Sequence, residues 1–233
     1  MSEAMQNHQL PARRIVETYE QNEVAAHPFF LDLQKRSVDL EAIWLLVANL
    51  RAGISEAFVR WLGTTIARID DRRIACIVAK QLDDELGKGD ISQIHSVLLD
   101  QFVAGLDRWR PKVVTASTVA AGERMAKRAG SIFHAPDPYE GIGALMSGEI
   151  FAKKMDHCLG EEIRRQEAIP SRALTWLVLH ETLEIDHADD ALELAALIPD
   201  HGPSLASTWR GATAQWNVLW EFLDDVKKIA DTR

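Results

Sequence analysis

The amino-acid sequence predicts an all-α protein, a bundle of about seven to nine helices. Three observations carry this. Apolar residues recur at three- and four-residue spacing through nearly every segment, and no stretch shows the period of two that a half-buried strand needs. The breaks fall at helix punctuation, such as His27-Pro28, Gly87-Lys88-Gly89 and Pro111, with Asp or Pro placed where the next helix would start. No unit repeats at fixed length, no tract is of low complexity, and no linker is long enough to separate domains. A single domain over residues 1–233 is expected, with 1–10 as a flexible polar lead.

In chain order, Pro11 opens a helix over RRIVETYEQNEVAAH, because the first helical position has no use for an N–H. His27-Pro28 breaks it, and PFFLDLQKRS forms a short helical piece. Asp39 is placed as N-cap for LEAIWLLVANLRAGISEAFVRWLGTTIARI, which Gly53 and Gly63 kink or divide. Asp70 or Asp71 caps RRIACIVAKQLDDELG, whose stripe Ile74, Ile77, Val78 and Leu82 brings Glu85 onto or beside the buried face. Gly87-Lys88-Gly89 interrupts this helix, and Asp90 recaps it with Gln93 in place for a capping box. ISQIHSVLLDQFVAGLDRW then carries His95 near its first turns and ends at Pro111.

Residues 113–133 give a weaker helical pattern and 135–141 the clearest loop. GIGALMSGEIFAKKMDHCL follows, with Ile142, Leu145 and Ala152 on its core side and Glu149 four residues after Leu145. Pro170-Ser171 opens the next helix and residues 198–203 end it. A last helix holds Trp209, Trp216 and Trp220 among its apolar positions.

Composition narrows the function. With 47% hydrophobic and 26% charged residues the chain reads as a soluble globular protein. A net charge of −9 without any basic block argues against nucleic acid as a partner. Cys76 and Cys158 have no CxxC spacing, which suggests a reducing compartment and no disulfide framework. No apolar leader and no run of 18 apolar residues occurs, so a cytoplasmic location away from any membrane is expected.

The most informative stretch is TWLVLHETLEIDHADDALEL, residues 175–194. Its buried stripe, marked by Leu174, Leu177, Ala191 and Leu194, passes through His180, Glu184 and His187. An ordinary core helix would place Leu or Ala there. The competing reading is a solvated charged helix with Glu181, Glu184, Asp186, Asp189 and Asp190 all facing water. Other helices favour the first reading, because Glu85, His95 and Glu149 also fall on inward faces. Three buried carboxylates and three imidazoles would cost several kcal/mol per charge without a counter-ion. Two divalent cations would neutralise most of that charge. Nitrogen and oxygen donors without thiolate suit iron or manganese, with zinc admitted by affinity. A ferritin-like site needs Glu-x-x-His on two helices, and only Glu184–His187 has that form here.

DELGKGDISQIHSVLL, then an isolated Glu on a long helix, then H-x3-E-x2-H, resembles the haem-oxygenase-like diiron oxidases and oxygenases. Thiaminase-like and PQQ-synthesis-C-like proteins share that superfamily. His27-Pro28-Phe29 resembles their common HPF turn, and the likeness runs over roughly residues 11–225. The resemblance implies a haem-oxygenase-like bundle, with Glu85, His95, Glu149, His180, Glu184 and His187 as metal ligands. It implies two iron ions, manganese being the alternative, with O2 as co-substrate. The substrate would be a small amine or amino-acid-derived molecule, oxidised by N-oxygenation, C–C cleavage or desaturation in natural-product biosynthesis. A homodimer is implied as well. At Glu184 relatives more often carry Asp.

Two other classes compete. One is a metal-independent relative, a thiaminase-like enzyme or a cofactorless oxidase, and the thiaminase-like form would need Cys76 or Cys158 in a pocket. The other is a helical metal-binding or interaction protein without catalysis. Near Glu149, Lys153 reads as a snorkelling side chain, and the adjacent His157 and Cys158 lack a third partner for a metal. Trp44, Trp61 and Trp176 are candidates to line a substrate pocket.

Overall fold

Helix α8 (Pro138–Arg164) is the axis of the molecule, burying residues on nearly all sides, from Ile142 and Leu145 through Phe151 to Leu159 and Ile163. The structure is a computed structural model that describes residues 10–35, 40–165 and 169–232, with the side chains of 172 and 182–188 outside the description. Around α8 stand α1 (Arg13–Gln21), α2 (Pro28–Lys35), α3 (Leu40–Ile54), α4 (Ala57–Ile66), α5 (Arg72–Glu85), α6 (His95–Gly105), α7 (Ala120–Phe133), α9 (Thr175–Leu197) and α10 (Pro203–Asp231). No strand occurs among the described residues. Helices α3 and α4 are halves of one apolar run broken at Ser55-Glu56, just after Gly53, while Gly63 passes through α4 without a break. That run, Leu40–Ile66, is apolar enough to cross a membrane, yet 56% of its apolar window lies inside the bundle, as expected of a core helix.

Small residues set the closest approaches. A Cβ on Gly143 would lie 1.9 Å from the Thr208 carbonyl oxygen, and one on Gly211 would lie 1.9 Å from that of Glu140. These notches let the backbones of α8 and α10 touch. Ser147 Oγ donates to the Ala212 carbonyl at 2.9 Å a turn further on, so the two helices run parallel. A second crossing joins α3 to α7. There a Cβ on Gly122 would meet the Asn49 carbonyl oxygen at 1.9 Å. Asn49, fully buried, donates through Nδ2 to the carbonyls of Leu45 (2.8 Å) and Thr118 (2.9 Å). Its Oδ1 accepts from Gly122 N–H at 3.0 Å, in the first turn of α7. The amide thus caps α7 from a different helix.

Several expected boundaries moved for local reasons. Residues 135–141 are only in part a loop, because Asp137 accepts from Tyr139 N–H at 3.0 Å and Pro138 occupies the first helical position. An Asp-Pro pair starts helices as readily as it makes turns. The first helix stops at Gln21, and a 3-10 turn over Val24–Ala26 leads into His27. Helix α6 ends at Gly105, ahead of Pro111, and 113–133 resolves into a 3-10 turn, Ala116–Thr118, followed by α7. Asp71 is the cap of α5, accepting from Arg73 N–H at 2.9 Å. Asp39, expected to cap the long apolar run, lies outside the described residues.

His27 shows how the entry to α2 depends on protonation. Its Nδ1 accepts from Phe29 N–H at 3.1 Å, and the ring is fully buried with Trp220 against its edge. Burial pushes the imidazole below its ordinary pKa, while Asp224, 3.4 Å from Nε2, pulls it back up. A pKa lowered in the folded state means the unfolded chain binds the proton more readily. The neutral ring's contribution is therefore complete above the unfolded value, about 6.5, and shrinks as pH falls through the folded one. Urea unfolding of the native protein should lose stability on acidification through this range by more than His27→Asn does. Equal slopes for the two proteins would refute the account.

Candidate metal centre

Glu85 is the last residue of α5, and the chain must turn sharply to bring His95 back beside it. Three consecutive residues do this, Gly87 (φ 71°), Lys88 (φ 51°) and Gly89 (φ 85°), all left-handed. Gly87 is required twice over, since a Cβ there would also lie 2.7 Å from the backbone carbon of Gln93. Lys88 takes a conformation that costs a non-glycine residue about 1 kcal/mol or more. Its Nζ reaches Asp84 Oδ1 at 2.6 Å, which fixes the turn. Asp90 then accepts from Ser92 N–H at 2.9 Å and caps a 3-10 turn, Ile91–Gln93. The expected continuation of one kinked helix is thus two helices joined by a tight connector, and His95 becomes the first residue of α6.

The connector places His95 Nδ1 3.0 Å from Glu85 Oε1, with His95 almost wholly buried. His180, on α9, completes a group whose ligand atoms all lie within 4.8 Å of one another. The His180 ring stacks on Trp176 (centroids 4.0 Å apart) and lies 4.6 Å from the ring of His95. Its Nδ1 is 2.8 Å from the Trp176 carbonyl oxygen. A carbonyl only accepts, so Nδ1 carries the proton and the Nε2 lone pair faces outward from that contact. Glu149, 7% exposed, lines the same cavity as Glu85, His95 and His180. Residues 184 and 187 follow His180 on α9 by about one and two turns, and their side chains lie outside the described residues.

The cavity has a volume of ≈ 100 Å³. Its wall is mostly apolar, with Phe58, Trp61, Phe133, Leu145, Phe151 and Trp176 among the lining residues. Trp61 and Phe133 stack at 5.2 Å, and Phe58 meets both edge-on. Of the three tryptophans expected as candidates, Trp61 and Trp176 line the cavity, whereas Trp44 is buried and not part of its wall. Lys153 turns to Glu20 at 3.1 Å. Cys158 is a poor nucleophile, because burial and the nearby Glu162 push its thiol up to about 11. Cys76 is exposed and does not line the cavity. One charged cavity residue escaped the sequence reading. Asp156, 1% exposed, shares the cavity with the four ligand-type side chains. Its signal was its spacing, seven residues after Glu149, hidden inside the charged string KKMDH.

The donor set fits iron on an observation internal to the site. His95 Nδ1 is buried and close to Glu85 Oε1, yet has no hydrogen bond aligned with it. A shared proton would align the pair, whereas two donors converging on a common third point leave both lone pairs aimed past each other. Carboxylate and imidazole donors without thiolate are those that suit iron and manganese.

An all-α bundle whose helices bring carboxylates and imidazoles to one cavity is the haem-oxygenase-like arrangement expected from the motif order. Solved structures agree on the fold. The chain is similar to a CADD-like protein of unknown function from Nostoc punctiforme (TM-score 0.71, 13% identity, 93% of this chain and 95% of that one). It is also similar to a TenA homolog from Pseudomonas syringae pv. tomato (TM-score 0.68, 12% identity, 98% of each chain). A third similar structure is a domain of unknown function with a heme oxygenase-like fold from Shewanella denitrificans (TM-score 0.66, 15% identity, 94% and 91%). Among curated proteins no sequence match reaches significance. The family model of iron-containing redox enzymes matches residues 46–220, and the chain belongs to that family.

Proposed function

We propose that this protein is an O2-dependent non-haem dinuclear iron oxidase or oxygenase that oxidises a small amine or amino-acid-derived substrate. The observation that carries the reading is the convergence of Glu85, His95 and His180, with Glu149, in one largely apolar cavity. These four, with Glu184 and His187 from α9, would hold the metal. Bound iron would supply the electrons that reduce O2 and the oxidising power directed at the substrate. The protein's part is positional. The Trp176 carbonyl and ring hold His180 in one tautomer and one orientation. The connector through Gly87-Lys88-Gly89 sets the approach of Glu85 to His95. The aromatic wall of Phe58, Trp61 and Phe133 keeps bulk water from the reacting end and accepts an apolar substrate body. N-oxygenation, C–C cleavage and desaturation all begin from this arrangement. They would diverge in which substrate atom the wall presents.

A metal-independent thiaminase-like reaction has no cysteine nucleophile lining the cavity, given the raised thiol of Cys158 and the exposed position of Cys76. The test is anaerobic titration of the apoprotein with Fe(II), followed by O2. Uptake of about two ions per chain, with rapid O2 consumption and a transient visible absorption, is expected. Absence of iron uptake would refute the reading.

A further inference from the structure

We propose that the side-chain amide of Gln215 recognises the substrate, its oxygen accepting a hydrogen bond from an N–H at the substrate's polar end. The proposal rests on the reading above that this cavity takes the substrate, and it adds the residue that selects it. Gln215 lies on α10, is 6% exposed and lines the cavity. Leu219, one turn further along α10, lines it too, so one face of that helix is part of the wall. The Oε1 atom of Gln215 is buried and has no hydrogen-bond partner. Leaving a buried amide oxygen unbonded is destabilising, and a leucine at this place would avoid the cost. The orphaned atom is an acceptor, so the group that completes it is a donor.

Neighbouring contacts fix where the amide stands. Ala212, just before it, accepts from Ser147 Oγ at 2.9 Å. Trp216, just after it, meets Phe151 edge-on at 5.0 Å and stacks on Tyr19 at 4.6 Å. Between these anchors the side chain packs against Gly148, where a Cβ would lie 3.7 Å from Gln215 Cγ and 3.8 Å from Nε2. The terminal amide torsion is broad, so oxygen and nitrogen can exchange places while the rest of the side chain stays put. Levels along α8 give the second argument. A Cβ on Gly141 would lie 3.5 Å from Phe133 Cδ1, and Phe133 stacks on Trp61. Gly148 follows seven residues later, about 10 Å along the helix, and Glu149 comes next. The aromatic wall and the Gln215 amide thus occupy two levels of one cavity, with the amide at the level of Glu149. A molecule whose apolar body lies on Phe58, Trp61 and Phe133 and whose far end carries an N–H spans that distance. Its nitrogen is then brought to the end of the cavity that holds the metal-type ligands.

The experiment compares the native protein with Gln215→Leu and Gln215→Met, each metal-free and each loaded anaerobically with Fe(II). The probes are n-hexylamine, methyl pentyl ether and pentanoate, which are alike in size but end in a donor, an acceptor and an anion. Binding is followed by tryptophan fluorescence, because Trp61 and Trp176 line the cavity. The native protein should bind hexylamine about tenfold more tightly than the ether. Both variants should lose that preference through weaker amine binding, with the affinity for the ether unchanged. Their metal-free Tm should equal or exceed the native value, since no acceptor is left stranded. A native protein without preference for the amine, or with a preference for pentanoate, would overturn the proposal. So would a preference that survives in either variant, or a fall in Tm with all three probes weakened alike, which would mark Gln215 as a packing residue. Iron uptake is recorded on the same samples. If the native protein takes up no iron, the dinuclear reading fails, and the metal-free measurements still decide the role of Gln215. If it takes up iron but shows no preference for the amine, only the assignment of Gln215 fails.

Discussion

Alanine at His180 should leave the protein folded and weaken iron binding by about 100-fold or more, with loss of about one ion per chain. The size follows from how the ring is held. Its Nδ1 is tied to the Trp176 carbonyl at 2.8 Å, and its face lies on the Trp176 indole at 4.0 Å. A donor already fixed in tautomer and direction gives up little freedom when it binds, so its removal forfeits nearly the whole interaction. Folding is spared because the imidazole is only partly buried and its loss strands no backbone group. Trp176→Leu keeps the carbonyl but removes the stacking surface, and should weaken iron about tenfold, between native protein and His180→Ala. His157→Ala is the control, since that ring is exposed on α8. Anaerobic Fe(II) titration checks all three, and equal affinities across the series would remove His180 from the site.

The second large effect concerns the fold. Asn49→Leu should lower unfolding stability by about 3 kcal/mol or more, although leucine is apolar and similar in size. The replaced amide serves two helices, accepting from Gly122 N–H at 3.0 Å and donating to Thr118 O at 2.9 Å and Leu45 O at 2.8 Å. Leucine leaves the Gly122 donor buried at a helix start and the Thr118 acceptor without this bond. A stranded buried group costs about 1–3 kcal/mol each. Relaxation is blocked by the glycine crossing itself, where the Gly122 backbone already touches the Asn49 carbonyl. A shift in the urea midpoint with unchanged m-value is the expected record. A loss below about 1 kcal/mol would mean the amide is not the bridge described.

The fold was legible because most helices advertise a buried stripe, and the haem-oxygenase-like arrangement follows from the order of the ligand-type motifs. The approach of Glu85 to His95 was legible in part. The two glycines around Lys88 marked an interruption, but three successive left-handed residues follow from no local preference, since Lys88 is drawn there by Asp84. Glu149 stood out as the lone carboxylate of an apolar stretch and does reach the cavity. Asp156 did not stand out, because its neighbours Lys153, Lys154 and His157 make the local string look solvated. Only the neighbouring helices, through the cavity they enclose, reveal which way that position faces. Residues 135–141 read as loop for a similar reason. Asp137 and Pro138 make a turn or a helix start equally well, and contact with α10, where Ser207 donates to Asp137, selects the start.

The glycine notches between α8 and α10 also fix when the cavity can exist during synthesis. Helix α8 carries Glu149 and Asp156, but it is seated by a partner that begins only at Pro203, some distance after the H-x3-E-x2-H motif. A nascent chain that has reached residue 197 already carries Glu85, His95, Glu149 and His180, yet lacks the helix against which the glycine notches seat α8. Under the proposed function, the donors are not held together by the full bundle until α10 has packed onto α8. On that reading metal loading waits for the finished bundle, so a half-made chain is spared redox-active iron.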